Sequence, residues 1–297
     1  MASFNSCGYA WRVMSAAEQL ERFYRLFPWV EDPFSPGGRA RYESALKLFR
    51  QLLEHDWLKD LPSRGELSIV DICGGTGVGG VALAKALAEK GIRVQLTVID
   101  LRSSALKVAE EFSAAELGAP ADVRRVDARE LHAMGARYDV ALLYGLSTPH
   151  FDAFSLVRVF ASAAESLVED GLLLVEEHDR FYSMAVLGRY RDVFYEGGEE
   201  RGVLSFEVGY DPLRGVVKRL FLDPVTGERV THEIRYWDLA GPLALAWLFF
   251  EDVDFVQYPG RLHRGIIIAK SPRRKLHPED LGQPRCLRQP EDRHAQH

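Results

Sequence analysis

Cysteine is scarce in this chain. Cys7, Cys73 and Cys286 are odd in number and far apart, a distribution that argues against a disulfide framework or a zinc site and suits a reducing compartment. Asparagine occurs once, as Asn5, and arginine far outnumbers lysine. Loss of heat-labile asparagine is a thermophile habit, whereas arginine richness also follows from base composition. Long apolar runs are missing too: GPLALAWLFF at 241–250 is about half of the ~20 residues a membrane-spanning helix requires. The stretch MASFNSCGYAWRVMSAAEQLERF has no basic segment followed by an apolar core, so no signal peptide is expected and a cytoplasmic protein is. Nor is positive charge in excess. The formal net charge is -6 and the pI near 5.9, which gives no general attraction to nucleic acid, and PRRK at 272–275 is the only compact basic run. No internal repeat stands out.

What is present suits a globular enzyme. The chain has 297 residues, 47% hydrophobic and 27% charged, enough for one large domain with an appendage. Residues 1–65 carry two helical patterns, AAEQLERFYRLFPWV and RARYESALKLFRQLLEHDWL, separated by the proline- and glycine-rich EDPFSPGG. From 66 to 182 strands and helices alternate: LSIVDIC, GVALAKALAEKG, RVQLTVID, SSALKVAEEFSAAELG, DVRRVDA, YDVALLYG, FDAFSLVRVFASAAESLVEDG and LLLVEE. Nearly continuous apolar strands between helices predict a parallel sheet covered on both faces. Residues 183–248 change character. VLSFEVGY, VVKRLFL and RVTHEIRYW, joined by DPLRG and DPVTGE, predict an antiparallel meander with Leu204, Phe206, Val208 and Tyr210 on one face and Val230, His232, Ile234 and Tyr236 likewise. Two last strands, DVDFVQY and GIIIAKS, fall within 249–271, and the tail 272–297 lacks periodicity and is expected to be disordered.

The chemistry centres on IVDICGGTGVGG at 69–80, an apolar strand that meets an acid and then five glycines within seven residues. Gly75-Thr76-Gly77-Val78-Gly79-Gly80 has dinucleotide-binding spacing, with Asp100 twenty residues beyond Gly80. On that count alone an NAD-dependent oxidoreductase is an alternative. Charge points elsewhere. A pyrophosphate against the turn disfavours a second negative charge, whereas Asp71 just before the glycines suits a ligand that presents cations, such as an ammonium and a sulfonium. The glycines let the backbone pass close to such a ligand, and Asp100 can accept from both ribose hydroxyls in either case.

These residues resemble a known family, the class I S-adenosylmethionine-dependent methyltransferases, over roughly 66–180 and 251–270. VDICGGTG resembles the family's acid-x-Gly-x-Gly motif, with Cys73 where glycine is frequent; VIDLRSSAL resembles the acidic end of strand two, at Asp100 and Leu101. VDARELH resembles the motif after strand three, and YDVALLYGLSTPHF the fourth strand and its loop. The resemblance implies a Rossmann-like α/β sheet of seven strands, mostly parallel with the last antiparallel, helices on both faces, added N-terminal helices, and the meander inserted after strand five. It implies S-adenosyl-L-methionine as cofactor, S-adenosyl-L-homocysteine as product and no metal. The cofactor residues would be Asp71, Cys73, Gly74, Gly75, Thr76, Gly77, Asp100, Leu101, Asp127 and Ala128 at the adenine, and Tyr144 and Gly145 on the methionine side. Simpler roles stay open: Asp71 as a structural carboxylate bonded to loop amides, Asp127 as a helix cap, and Cys73 as a small residue that merely fits.

Methyl transfer is an in-line displacement that rests on alignment and exclusion of water, with a general base needed when the acceptor's proton must leave early. Candidate bases lie after strands four and five. His150 is the first and His178, in EEHDRFYSM, the second; a solvated first-turn residue and a hydrated loop are the plainer readings of these two. The aromatics of 1–65 and 183–248 would line a lid over a small acceptor methylated on oxygen or nitrogen. RNA or protein is the alternative acceptor. The meander would serve as that lid or as a homodimer surface.

Overall fold

The computed structural model describes residues 14–61, 65–197 and 202–288. Cys7 and Asn5 lie outside them. The apolar runs form the strands of a seven-stranded sheet: β1 (Glu66–Ile72), β2 (Arg93–Asp100), β3 (Asp122–Arg125), β4 (Tyr138–Leu143), β5 (Leu167–His178), β10 (Phe250–Gln257) and β11 (Arg264–Pro272), in the order β10-β11-β5-β4-β1-β2-β3. The five strands β1 to β5 run parallel, β11 is antiparallel to β5, and β10 is antiparallel to β11. Strand order reverses between β1 and β4. Helices leave β1 and β4 for opposite faces there, which opens a crevice beyond their C-terminal ends.

Both faces are covered, as the unbroken apolar runs require. Helices α2 (Pro36–Leu52), α3 (Val78–Ala88) and α4 (Ser103–Leu117) cover one; α5 (Ala153–Ser166), α6 (Ala240–Phe249) and the turn Ala128–Met134 cover the other. A second sheet, order β6-β7-β8-β9, is wholly antiparallel: β6 (Val193–Gly197), β7 (Gly202–Asp211), β8 (Val216–Leu222) and β9 (Arg229–Ile234). Helix α1 (Ala16–Leu26) packs on its inner face, where Phe23 and Leu26 meet Phe221 and Val230. The N-terminal helices therefore are not one lid: α2 belongs to the core layer, where Phe49 is fully buried, and α1 to the second sheet.

Four expectations need correction. The break between the N-terminal helices lies earlier than EDPFSPGG, at 27–35, because α1 stops at Leu26 and Ser35 caps Gly38, with Pro36 in the first turn of α2, where proline's missing N–H costs nothing. The meander has a fourth strand, β6. Along β7 the buried face is Val203 and Ser205, while Val208 and Tyr210 are 53% and 58% exposed. The cause is Arg219 on β8, buried on the inner face and donating to Ser205 Oγ at 2.7 Å and Ser205 O at 2.8 Å, together with a bulge between Glu207 and Gly209. Lastly, residues 272–288 of the tail have structure of their own, and 289–297 lie outside the described residues. Short turns at Pro278–Asp280 and Arg285–Leu287 lie against the core through His277 with Glu165 (3.1 Å) and His132 with Glu279 (3.2 Å).

Candidate active site

The glycine stretch is a tight turn closed by its own backbone. Cys73, Gly75 and Gly77 all have positive φ (53°, 55° and 80°), and Gly77 caps α3. Its amides are largely committed: Gly75 N donates to Asp100 Oδ2 at 2.9 Å, Gly77 N to Gly74 O at 2.9 Å and Gly80 N to Asp71 Oδ2 at 2.7 Å. A Cβ on Gly80 would come within 2.8 Å of Asp71, so this position must lack a side chain. Asp71 is buried beneath the turn, its other oxygen unpartnered, and burial pushes its pKa up to about 7 against the Gly80 hydrogen bond. Its placement is that of a carboxylate bonded to a loop amide. A pyrophosphate on this turn would compete with two carboxylates for the same donors.

Beyond the turn lies a cavity of about 500 Å³, in the size range of small-ligand sites. It brings together Cys73, Asp100, Leu101, Asp127, Ala128 and His150 from the ends of β1, β2, β3 and β4. Asp100 Oδ1 also accepts from Arg102 N at 2.9 Å, and Arg102 bridges to Glu31 at 2.6 Å across the turn. Asp127 accepts from Arg129 N at 2.9 Å and pairs with its guanidinium at 2.6 Å, which hold its carboxyl below the usual range although burial opposes them. The cap and the cavity-lining role of Asp127 coexist. The Cys73 thiol is driven well up by burial and by the carboxylates of Asp100, Asp127 and Asp71, so it stays protonated.

A smaller cavity of about 200 Å³ adjoins the first, lined chiefly by apolar and aromatic groups: Phe23, Phe27, Trp29, Pro149 and Ile234, with Gly145 and Arg180 also in its lining. Tyr24, His150 and His232 line both cavities. Tyr24 Oη lies 2.8 Å from His150 Nε2, and His150 Nδ1 lies 2.8 Å from His232 Nε2. Removal from water, with the charges of His232, Arg102 and Arg180, drives His150 well below the ordinary histidine value; burial pushes His232 down to about 4. Both rings are neutral near pH 7. Tyr24 is kept a phenol by burial, with the Arg102 guanidinium 3.9 Å above its ring.

Of the remaining candidates Gly145 lines the smaller cavity, while Thr76, Tyr144 and His178 line neither. Thr76 donates to Glu31 O at 2.8 Å and ties the segment after α1 to the turn. The side chain of Tyr144 turns toward Phe49, 5.4 Å between rings, and away from both cavities. Gly145 N donates to Glu176 Oε2 at 3.0 Å. His178 lines neither cavity; its Nε2 meets Ser183 Oγ at 2.9 Å. Sequence reasoning missed Tyr24, Arg102 and His232 as site residues. Tyr24 falls only among the aromatics of the N-terminal helices and His232 only in a strand alternation, and nothing local marks them. No cluster of three or more His, Cys, Asp or Glu among the described residues is placed to hold a metal ion.

Residues 69–171, from β1 into β5, match the family model described as a methyltransferase domain. Over these residues the chain carries a methyltransferase domain. The methyltransferase match sets aside the dehydrogenase reading of the glycines, in line with the committed amides of the turn. A search of the curated proteins finds no match. Among solved structures, the PH0226 protein from Pyrococcus horikoshii OT3 is similar at 18% identity and TM-score 0.56, covering 84% of this chain and 98% of its own. An S-adenosylmethionine-dependent methyltransferase from Clostridium acetobutylicum ATCC 824 is similar at 16% and 0.54, covering 85% and 98%. The sugar N-methyltransferase KedS8 from Streptoalloteichus sp ATCC 53650 is similar at 17% and 0.54, covering 91% and 98%. These likenesses concern the fold, and they take in the appended helices and second sheet as well as the methyltransferase core.

Proposed function

We propose that the protein methylates an oxygen or nitrogen of a small acceptor seated in the smaller, aromatic cavity, with Tyr24 and His150 at the reacting atom. The observation that supports this reading is that these two residues, together with His232, line both cavities. Asp100 would accept from the ribose hydroxyls, Asp127 and the Ala128 amide would meet the adenine, and Cys73 with Gly74 to Gly77 would pass beneath. When bound, the cofactor supplies a methyl group on a sulfonium, a leaving group already activated by its charge. The protein's own share is alignment, water exclusion and proton removal. A histidine depressed this far is a weak base, but it is neutral across the working pH range and keeps one ring nitrogen as an acceptor. That suits an acceptor whose proton becomes acidic as the new bond forms.

The 200 Å³ of the aromatic cavity suits a small group better than a polymer, and the absence of a general positive charge supports the same choice over RNA. Among the described residues no helix is long and apolar enough to cross a membrane. The test is transfer of labelled methyl groups to a panel of small amines and hydroxyl compounds, amino sugars first because of the likeness to KedS8. Turnover of a small acceptor that collapses in His150→Ala supports the reading; label passing only to RNA or protein sinks it.

A further inference from the structure

We propose that His232, on the second sheet, is a positioning residue that holds His150 in the tautomer protonated on Nδ1, so that the Nε2 lone pair serves the Tyr24 hydroxyl and through it the acceptor. The inference rests on the reading of Tyr24 and His150 as the groups at the reacting atom.

Both ring nitrogens of His150 are engaged by protein groups, Nε2 by Tyr24 Oη and Nδ1 by His232 Nε2, each at 2.8 Å. A neutral imidazole has one N–H and one lone pair, so the three groups form a directed chain with two senses. In one, Tyr24 donates to Nε2 and Nδ1–H donates to His232. In the other, His232 donates to Nδ1 and Nε2–H donates to Tyr24, which leaves His150 no lone pair on the acceptor side. The surroundings favour the first. The Arg102 guanidinium over the Tyr24 ring, 3.9 Å from its centroid, polarises the phenol and makes it the better donor.

His232 is also held fast. Its ring stacks on Phe23 with centroids 4.2 Å apart and planes 19° from parallel, and its backbone is registered opposite Arg219 of β8. The neighbouring Glu233 is engaged by Arg214 at 2.5 Å and Lys218 at 3.5 Å, so its carboxylate has cationic partners of its own.

The proton balance follows. As the acceptor oxygen or nitrogen bonds to the methyl carbon and the carbon–sulfonium bond breaks to leave a thioether, the acceptor's proton passes to the Tyr24 oxygen. The Tyr24 proton passes to His150 Nε2. The resulting imidazolium keeps its Nδ1–H donated to His232, which orients the ring and disperses the charge.

The test is 15N NMR of histidine-labelled protein, with His150→Gln used only to assign the His150 signals. The wild type should show His150 neutral with the proton on Nδ1. In His232→Phe, which keeps the stack but offers no acceptor, the His150 signal should move toward the Nε2–H form. Its kcat should fall roughly 10- to 100-fold, the range for loss of an orienting partner, with the acceptor KM within about twofold. His232→Gln, whose Oε1 can accept from Nδ1–H, should restore the wild-type tautomer and most of kcat. A wild-type His150 protonated on Nε2, or a tautomer that His232→Phe leaves unchanged, overturns the proposal. The NMR readout needs no acceptor, so a failed search for acceptors counts against the functional reading and not against this one.

Discussion

The glycine-turn end of the site, proposed for the cofactor, and the aromatic end, proposed for the acceptor, are built by different physics. At the cofactor end, short-range backbone geometry does the work: left-handed residues within one turn, amides closed onto Asp71 and Asp100, and a helix that starts where the turn stops. At the acceptor end, side chains from distant elements meet with little backbone pairing between them. Tyr24 comes from α1, His150 from the loop after β4, and His232 from β9. A site of this kind separates a backbone-built geometry for holding a ligand from a side-chain-built one for choosing its partner. The two ends should therefore fail separately when altered.

The largest separation should come from His150→Ala. We expect kcat to fall by roughly 3 to 4 kcal/mol in transition-state terms, near the lower part of the range for general bases, while calorimetric affinity for S-adenosylhomocysteine moves less than about threefold. Comparable losses in both would mean that the ends are one unit. Asp100→Ala is the mirror case. It removes the carboxylate that closes the glycine turn and would hold the ribose, so affinity for S-adenosylhomocysteine should weaken by roughly 2 to 3 kcal/mol; unaltered binding would place the ribose elsewhere.

Acid should strike the acceptor end first. His232 has a pKa near 4 in the folded protein and the ordinary value of 6.5 when unfolded. Between those values the unfolded chain binds more protons, so stability falls as pH falls from 6.5 toward 4. By pH 5 the loss from this group is about 2 kcal/mol. Urea unfolding of His232→Phe at pH 7 and pH 5 should show a shallower decline than the wild type; parallel declines would remove His232 as the cause. The smallest effect belongs to the turn. Cys73 carries a side chain at φ 53°, a conformation that costs a residue other than glycine about 1 to 2 kcal/mol, part of which glycine's added unfolded-state freedom offsets. Cys73→Gly should raise stability by about 0.5 kcal/mol with cofactor affinity retained, and a destabilised variant would show that the thiol's packing outweighs its strain.

The same division governs what was legible in the sequence. The strands, the glycine turn and Asp100 are written in contiguous residues whose spacing is itself the structure, and the parallel order of the sheet follows from the helices between strands. The triad of Tyr24, His150 and His232 leaves no such trace, because its members are brought together only by tertiary packing. Only His150 was marked out, from its place after a strand end, and the equally placed His178 was not brought to either cavity. The inner face of β7 was not legible for a related reason. A buried arginine, Arg219, and a bulge broke the rule that the more apolar face turns inward. Asp71 shows the limit of arguing from charge alone: the sign of its charge fits a cationic ligand, while its geometry commits it to an amide below the turn.

The seating of α1 on the second sheet has a consequence for how the protein is made. Arg25 of α1 pairs with Glu228, 203 residues further along the chain. At ribosomal speeds of about 5 to 20 residues per second, the helix waits some 10 to 40 s for the strands it will cover. During that interval the greasy side that carries Phe23 and Leu26 has no home, while β1 to β5 can already assemble beside it. The glycine turn can thus form before either cavity has all its walls, since α1 and the second sheet line both, and the helix synthesised ahead of that sheet is among the last elements to settle.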